Sequence, residues 1–299
     1  MNKPKMSLHP SIRADRLISN LGYGTRKDVH ALALSGQIHL DGMPLKDVTR
    51  KIFLENDLPE RLTIAGKKMD PLPGLVLIMN KPTGMTCSHK DTGALVYDLL
   101  PSRWRARKLK IVTVGRLDKH TSGLLLLTDN GVLTHRITAP RSKIAKRYRV
   151  VLEHPLRGDE GEIFASGRLV LTGDKTPLLP AVLEIANDKS ANTFNVTKQI
   201  MSRLVAFVTI YEGRNHQVRR MFAAVGNHVV SLHRDRVGGL HLPNDMPLGT
   251  YRLLDNNCTS SIFDDTFSSH NKCTYYLSNS KAFRVFSPDT PMPIGSESG

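Results

Sequence analysis

Residues 115–131, GRLDKHTSGLLLLTDNG, set one carboxylate among cations and small residues where a strand gives way to a loop. A strand delivers Arg116, Leu117 and Asp118 to a polar loop over residues 119–122, and residues 124–127 return as an apolar strand. A nucleotide could approach a carboxylate so placed. An isolated Asp in a loop is ordinarily a cap or turn residue. A second string, residues 211–240, reads YEGRNHQVRRMFAAVGNHVVSLHRDRVGGL. Within it Val218, Met221, Phe222 and Val225 make one helical face closed by Gly226, while Arg214, Arg219 and Arg220 project elsewhere. Taken alone this is a basic amphipathic helix. Beside a carboxylate, a guanidinium would favour the ionised form and keep a nucleophile available at neutral pH.

Three further stretches carry candidate chemistry. Residues 146–149, KRYR, place Tyr148 on a strand, where a tyrosine ordinarily shows its hydroxyl to solvent. Residues 79–91, MNKPTGMTCSHKD, contain a Lys-Pro-x-Gly turn that reads as architectural, with Lys81 a candidate contact for RNA. Residues 103–110, RWRARKLK, gather five cations around the only tryptophan. Arg103, Trp104 and Arg105 could hold phosphates and stack on an unpaired base.

The elements that must position these groups fall into two blocks. From Arg13 the positions Ala14, Leu17, Ile18 and Leu21 follow a helical stripe that Gly22 stops. Thr25 caps a second helix with Asp28 three residues on, its stripe is Val29, Leu32 and Ala33, and Gly36 ends it. Ile38 and Leu40 then alternate into the tight turn Asp41-Gly42. Arg13, Arg16, Arg26 and Lys27 are set out on exposed helical positions, suited to phosphate contacts. Residues 70–74, DPLPG, read as a linker. Beyond them residues 75–79, 110–114, 124–128, 148–152, 193–196 and 206–211 read as short strands with helices between some of them. This predicts an α+β domain on a mixed, mostly antiparallel sheet. Residues 255–299 drift to Ser, Asn, Asp and Thr and are expected to be a weakly ordered tail.

Composition narrows the function classes. The chain of 299 residues has 42 Lys and Arg against 27 Asp and Glu, a net charge of +15, which favours a polyanionic partner. The longest apolar runs are strand-length, far short of the roughly 20 residues a membrane-spanning helix needs. Residues 1–10 form a basic arm without the apolar centre of a secretory signal. Cys87, Cys258 and Cys273 show no metal spacing and no paired framework, which fits a reducing compartment. A cytoplasmic location is expected, or an organelle if the source is a eukaryote. No metal site is expected, because the twelve histidines include no His-Glu-x-x-His and the cysteines no Cys-x-x-Cys. A Gly-rich nucleotide loop between strand and helix is likewise absent.

The strings together resemble the pseudouridine synthases that share the GRLD signature. The resemblance spans residues 11–254. It implies Asp118 as the catalytic carboxylate, Arg219 contacting that carboxylate, and Tyr148 packing against the target base. Residues 11–69 resemble the alpha-L RNA-binding domain, and residues 75–254 the catalytic domain. Arg116 becomes the candidate to occupy the gap left by the flipped nucleotide, and Arg214 and Arg220 become candidate RNA contacts. The runs HRITAP (135–140), PAVLE (180–184) and RMFAAVGNHVV (220–230) resemble the RsuA-type branch, which acts on small-subunit ribosomal RNA. The implied partner is ribosomal RNA, bound by a monomer that needs no cofactor for a reaction without redox change. Whether Asp118 attacks the sugar, adds to the base or abstracts a ribose proton stays open. The alternatives are a large-subunit synthase sharing the same core and a non-catalytic ribosome-assembly factor. Intact Asp118, Tyr148 and Arg219 argue against the latter.

Overall fold

A computed structural model describes residues 10–89, 91–185, 204–264 and 275–276. The first block opens with strand β1 (Ser11–Arg13), which pairs antiparallel with β4 (Lys51–Phe53). Between them come α1 (Ala14–Asn20), α2 (Arg26–Leu34) and the hairpin β2 (Ile38–Leu40) to β3 (Met43–Pro44). Thr25 and Asp28 form the expected capping box at the start of α2. Asp41 and Gly42 both take positive φ, the geometry a two-residue hairpin turn demands. A short helix α3 (Leu58–Arg61) leads into β5 (Leu62–Ile64) and β6 (Lys67–Lys68), giving a small sheet in the order β3-β2-β5-β6. Leu17, Ile18, Leu21, Val29, Ile38 and Leu62 close this block around its own core.

The second block is built on a sheet of the order β11-β12-β10-β13-β9-β7-β15-β16. Its strands are β7 (Val76–Lys81), β8 (Val112–Val114), β9 (Ser122–Thr128), β10 (Lys146–Leu152), β11 (Val182–Ile185) and β12 (Val205–Ile210). They are completed by β13 (Val229–Val237), β14 (Leu240–His241), β15 (Tyr251–Leu254) and β16 (Tyr275–Tyr276). Both faces of the central strands are covered, which explains their unbroken apolar runs. Leu77, Met79, Leu125 and Leu127 face one core, which takes in α5 (Glu160–Ala165) and α6 (Gln217–Ala224). Val76, Ile78, Leu124 and Leu126 face another, with α4 (Gly131–Thr138) and α7 (Asn256–Ser261). The α+β class and the mixed, mostly antiparallel sheet are as expected.

Three findings differ from the sequence reading or lie beyond it. The tail expected to be weakly ordered begins with α7, whose Cys258, with the following Ile262, is buried in the second core. Asp255 caps that helix through the Cys258 N–H. A Ser- and Asn-rich composition concealed two apolar anchors. The strand expected at residues 193–196 lies outside the described residues. The linker is held down rather than free. Asp70 makes a two-point ion pair with Arg103, Arg107 donates to the Pro71 carbonyl, and the Gly74 N–H donates to Asp129. Tyr23 of the first block joins this contact, its hydroxyl accepting from the Asp70 N–H and its ring lying 4.3 Å from the Arg103 guanidinium.

The sheet's parallel junction, between β9 and β13, is short: His233 faces Ser122 and Arg234 faces Gly123. Gly123 has φ +107°, and a Cβ there would fall 2.2 Å from the Arg234 carbonyl oxygen. Only glycine permits both the conformation and the approach. Gly123→Ala should therefore cost about 3 to 5 kcal/mol of stability. Urea unfolding checks this, and a loss below about 1 kcal/mol would show that the junction relaxes freely.

Candidate active site

Asp118 sits in the loop between β8 and β9, its side chain 35% exposed. Five consecutive carbonyls around it each accept a hydrogen bond. The Cys87 thiol reaches Leu117 O, the Thr121 N–H reaches Asp118 O, and the Gly84 N–H reaches Lys119 O. Arg219 takes His120 O, and Lys81 takes Thr121 O. Lys81 is the hub: its Nζ lies 2.9 Å from Pro82 O, 3.1 Å from Asp118 O and 2.9 Å from Thr121 O. Its side chain is fully buried. Burial lowers its pKa from the ordinary lysine value to about 8, so at neutral pH the ammonium remains charged. Three carbonyl dipoles converging on it compensate the lost hydration. The candidate RNA contact at Lys81 is thus corrected to a buried clamp on the Asp118 loop.

The expected contact between Arg219 and the Asp118 carboxylate is not made. Arg219 instead donates to Val229 O at 2.6 Å and His120 O at 3.1 Å, tying α6 and β13 to the loop. Among the described residues the basic side chain nearest the carboxylate is His216, whose Nε2 lies 3.6 Å from Asp118 Oδ1. His216 holds a left-handed backbone (φ +49°) at the start of α6, which turns its ring toward the loop rather than along the helix. The sequence reading passed over it, although it stands within the same string as Arg219.

Tyr148 is buried on β10, in the same apolar cluster as Leu117 and Val218. Its hydroxyl is 3.5 Å from Arg234 Nη1, and Arg234 is itself fixed by donating Nε–H to Leu124 O at 2.8 Å. The solvent-facing hydroxyl expected of a lone strand tyrosine is therefore absent. Lys146, two residues earlier and on the same face, is lowered by burial and by Arg234 to about 8. Neither Lys146 nor Arg234 was assigned a role from sequence; Lys146 shares a strand face with Tyr148, and strand pairing brings Arg234 beside it.

Most of the cations assigned to RNA are engaged within the protein. Trp104 is buried in the core at 5.8 Å from the Tyr251 ring, so it offers no platform to a base. Arg103 pairs with Asp70 and Arg105 with Asp98. Arg214 and Arg220 both grip Asp174, and they also hold the carbonyls of Thr176, Pro177 and Thr172. Arg13 pairs with the buried Asp15, whose carboxyl falls to about 2, chiefly through that hydrogen bond. Arg16, Arg26, Lys27 and Arg116 are exposed. None of these four forms an ion pair with a described residue.

Among the described residues no group of three or more His, Cys, Asp or Glu could hold a metal, and no helix is long and apolar enough to cross a membrane. Asp118 thus stands on a loop clamped through its backbone, with Leu117 beside it packing in the same core as Tyr148 and α6. The chain belongs to the RNA pseudouridylate synthase family, whose match covers residues 75–224, and it is accordingly an isomerase of uridine in RNA. It is 37% identical over 245 residues to the uncharacterized RNA pseudouridine synthase YtzG of Bacillus subtilis, covering 81% of this chain and 95% of that one. It is 35% identical over 255 residues to ribosomal small subunit pseudouridine synthase A of Escherichia coli, covering 84% of this chain and all of the relative. A crystal structure of a pseudouridylate synthase superposes with a TM-score of 0.55 at 31% identity, covering 84% of this chain and 99% of that one.

Two outcomes are expected of this geometry. Arg219→Ala should lower kcat about a hundredfold with little change in KM, because it misplaces the loop rather than the substrate. Partial rescue by Arg219→Lys would mark a positioning role, whereas a loss carried by KM would mark an RNA contact. Turnover should also fall as pH rises through about 8, where the Lys81 ammonium discharges and loses a donor to its carbonyls. Lys146→Gln should keep that alkaline limb. A profile flat to pH 10, or a limb that vanishes with Lys146, would assign the dependence elsewhere.

Proposed function

We propose that this enzyme converts a specific uridine of small-subunit ribosomal RNA to pseudouridine, with Asp118 as its catalytic carboxylate. The observation that carries the reading is Asp118 itself, a partly exposed carboxylate on a loop whose neighbouring carbonyls are all held. The substrate follows from likeness to the Escherichia coli relative along that relative's whole length. The reaction breaks the bond from ribose C1′ to uracil N1 and forms one from C1′ to C5. N1 gains a proton and C5 loses one, so atoms balance without redox change and without a cofactor. Asp118 serves the sugar or base during the exchange, Tyr148 packs against the detached base, and Arg116 occupies the gap in the RNA stack. His216 faces the Asp118 carboxylate, and Arg219 fixes the loop. Arg16, Arg26 and Lys27 supply phosphate contacts from the first block. The protein works as a monomer in the compartment that holds its ribosomes, the cytoplasm for a bacterial source.

Pseudouridine mapping of ribosomal RNA tests this directly, using a deletion strain complemented with wild type or with Asp118→Asn. One small-subunit position should lose its pseudouridine and regain it only with wild type. Loss at a large-subunit position would reassign the substrate. Restoration by Asp118→Asn would remove Asp118 from the chemistry, and an unchanged set of sites in the deletion would favour a binding role.

A further inference from the structure

A cleft of about 290 Å³ opens where α4 ends, lined by His135, Arg136, Ala139, Arg141, Ser142, Ile144 and Phe263. We propose that it is a second RNA subsite, holding an unpaired nucleotide of the strand that carries the target uridine. The inference rests on the RNA-directed reaction of the family and adds a place on the enzyme that the Asp118 site does not use.

The chemistry of the lining points to a nucleotide. Two guanidinium groups and an imidazole stand in or beside the cleft with no carboxylate in its wall. Arg136 and Arg141 are exposed, and neither forms an ion pair with a described residue. This contrasts with Arg103, Arg105, Arg214 and Arg220, which carboxylates neutralise. Phe263 supplies an aromatic surface, and Arg136 lies over its ring at 4.3 Å from the centroid. An arginine plane beside an aromatic ring is the pair on which unstacked bases are held, and the free guanidinium edges suit the adjoining phosphates. His135 and Arg136 also complement the carbonyl end of α4. That local role accounts for neither Arg141 nor Phe263, which lie outside the helix.

Position supports the same partner. A Cβ at Gly115, three residues before Asp118, would lie 3.9 Å from Thr138 Cγ2, so the end of α4 touches the base of the Asp118 loop. Exposed Arg116 continues the basic strip on that loop. Ile144 of the lining precedes β10, the strand of Tyr148, and packs in the second core on the other face of the sheet. An RNA strand with its target uridine at Asp118 would reach the cleft by passing over the end of the sheet, from the face of Tyr148 to the face of α4. Phe263 comes from the segment after α7, beyond the family match at residues 75–224.

Filter binding and turnover with a small-subunit ribosomal RNA transcript test the subsite. Arg136→Ala/Arg141→Ala should raise Kd about tenfold or more and flatten the slope of log Kd against log salt by about 1 to 2. Phe263→Leu, which keeps the apolar volume, should raise Kd about fivefold or more through lost stacking. The control is Arg168→Ala/Lys175→Ala, which removes the same charge from exposed positions between α5 and β11, outside the cleft. Equal losses in the two double variants would reduce the effect to the general basic field and overturn the subsite. So would a Kd within twofold of wild type in both Arg136→Ala/Arg141→Ala and Phe263→Leu. If wild type forms no pseudouridine in the transcript, the small-subunit reading fails, while the comparison of Kd values still decides the cleft.

Discussion

One buried ammonium organises this enzyme. Lys81 ends the strand β7, and its Nζ reaches across to the carbonyls of Asp118 and Thr121 as well as to Pro82 beside it. Isolated, such a charge would be unaffordable in an apolar interior. Converging carbonyls make it tolerable, and the same convergence fixes the loop. Removing the cation would leave buried acceptors unsatisfied, so the loop's shape and the core's stability are one interaction seen from two sides. The sheet must hold its order for that geometry to exist, since β7 and β9 pair along their full length and deliver both partners to the same end.

The parallel junction between β9 and β13 is the second constraint, and it follows from the first. Clamped by Lys81, the Asp118 loop enters β9 at Ser122, where Gly123 lets β13 come close enough for Arg234 to reach Leu124 O. Arg234 then stands over Tyr148 on β10. In this way a backbone approach that only glycine allows couples the loop of Asp118 to the strand of Tyr148. Ser122 and His233, hydrogen-bonded at 2.9 Å, seal the same seam.

The sequence disclosed what is local. The capping box of Thr25 and Asp28, the turn at Asp41-Gly42 and the central strands follow from neighbouring residues and from apolar runs buried on both faces. Asp118 stood out through the resemblance of its whole string to a family motif, since an isolated Asp in a polar loop is ordinarily a cap or turn residue. The partners of the cations did not. Arginines that grip backbone carbonyls, such as Arg219 and Arg220, have acceptors at every residue, so spacing cannot say which they choose. Trp104 looked like a base platform among five cations, yet Arg103, Arg105 and Arg107 find Asp70, Asp98 and Asp129 through tertiary contacts. Cys258 and Ile262 were hidden in a polar tail for the same reason, because burial there depends on a distant strand surface.

A carboxylate that must act on a sugar or base gains from being held by its backbone rather than its side chain. Two-point ion pairing to an arginine, as Asp70 and Asp235 receive from Arg103 and Arg147, would occupy both oxygens and fix them to a partner. Asp118 avoids that arrangement. Its main chain is fixed by Lys81, and its carboxylate meets a single imidazole at 3.6 Å, beyond ordinary hydrogen-bond length. The oxygens keep acceptor capacity for substrate while the loop cannot drift. Placing Arg219 on His120 O instead of on the carboxylate belongs to the same logic: the guanidinium orders the loop and takes neither carboxylate oxygen.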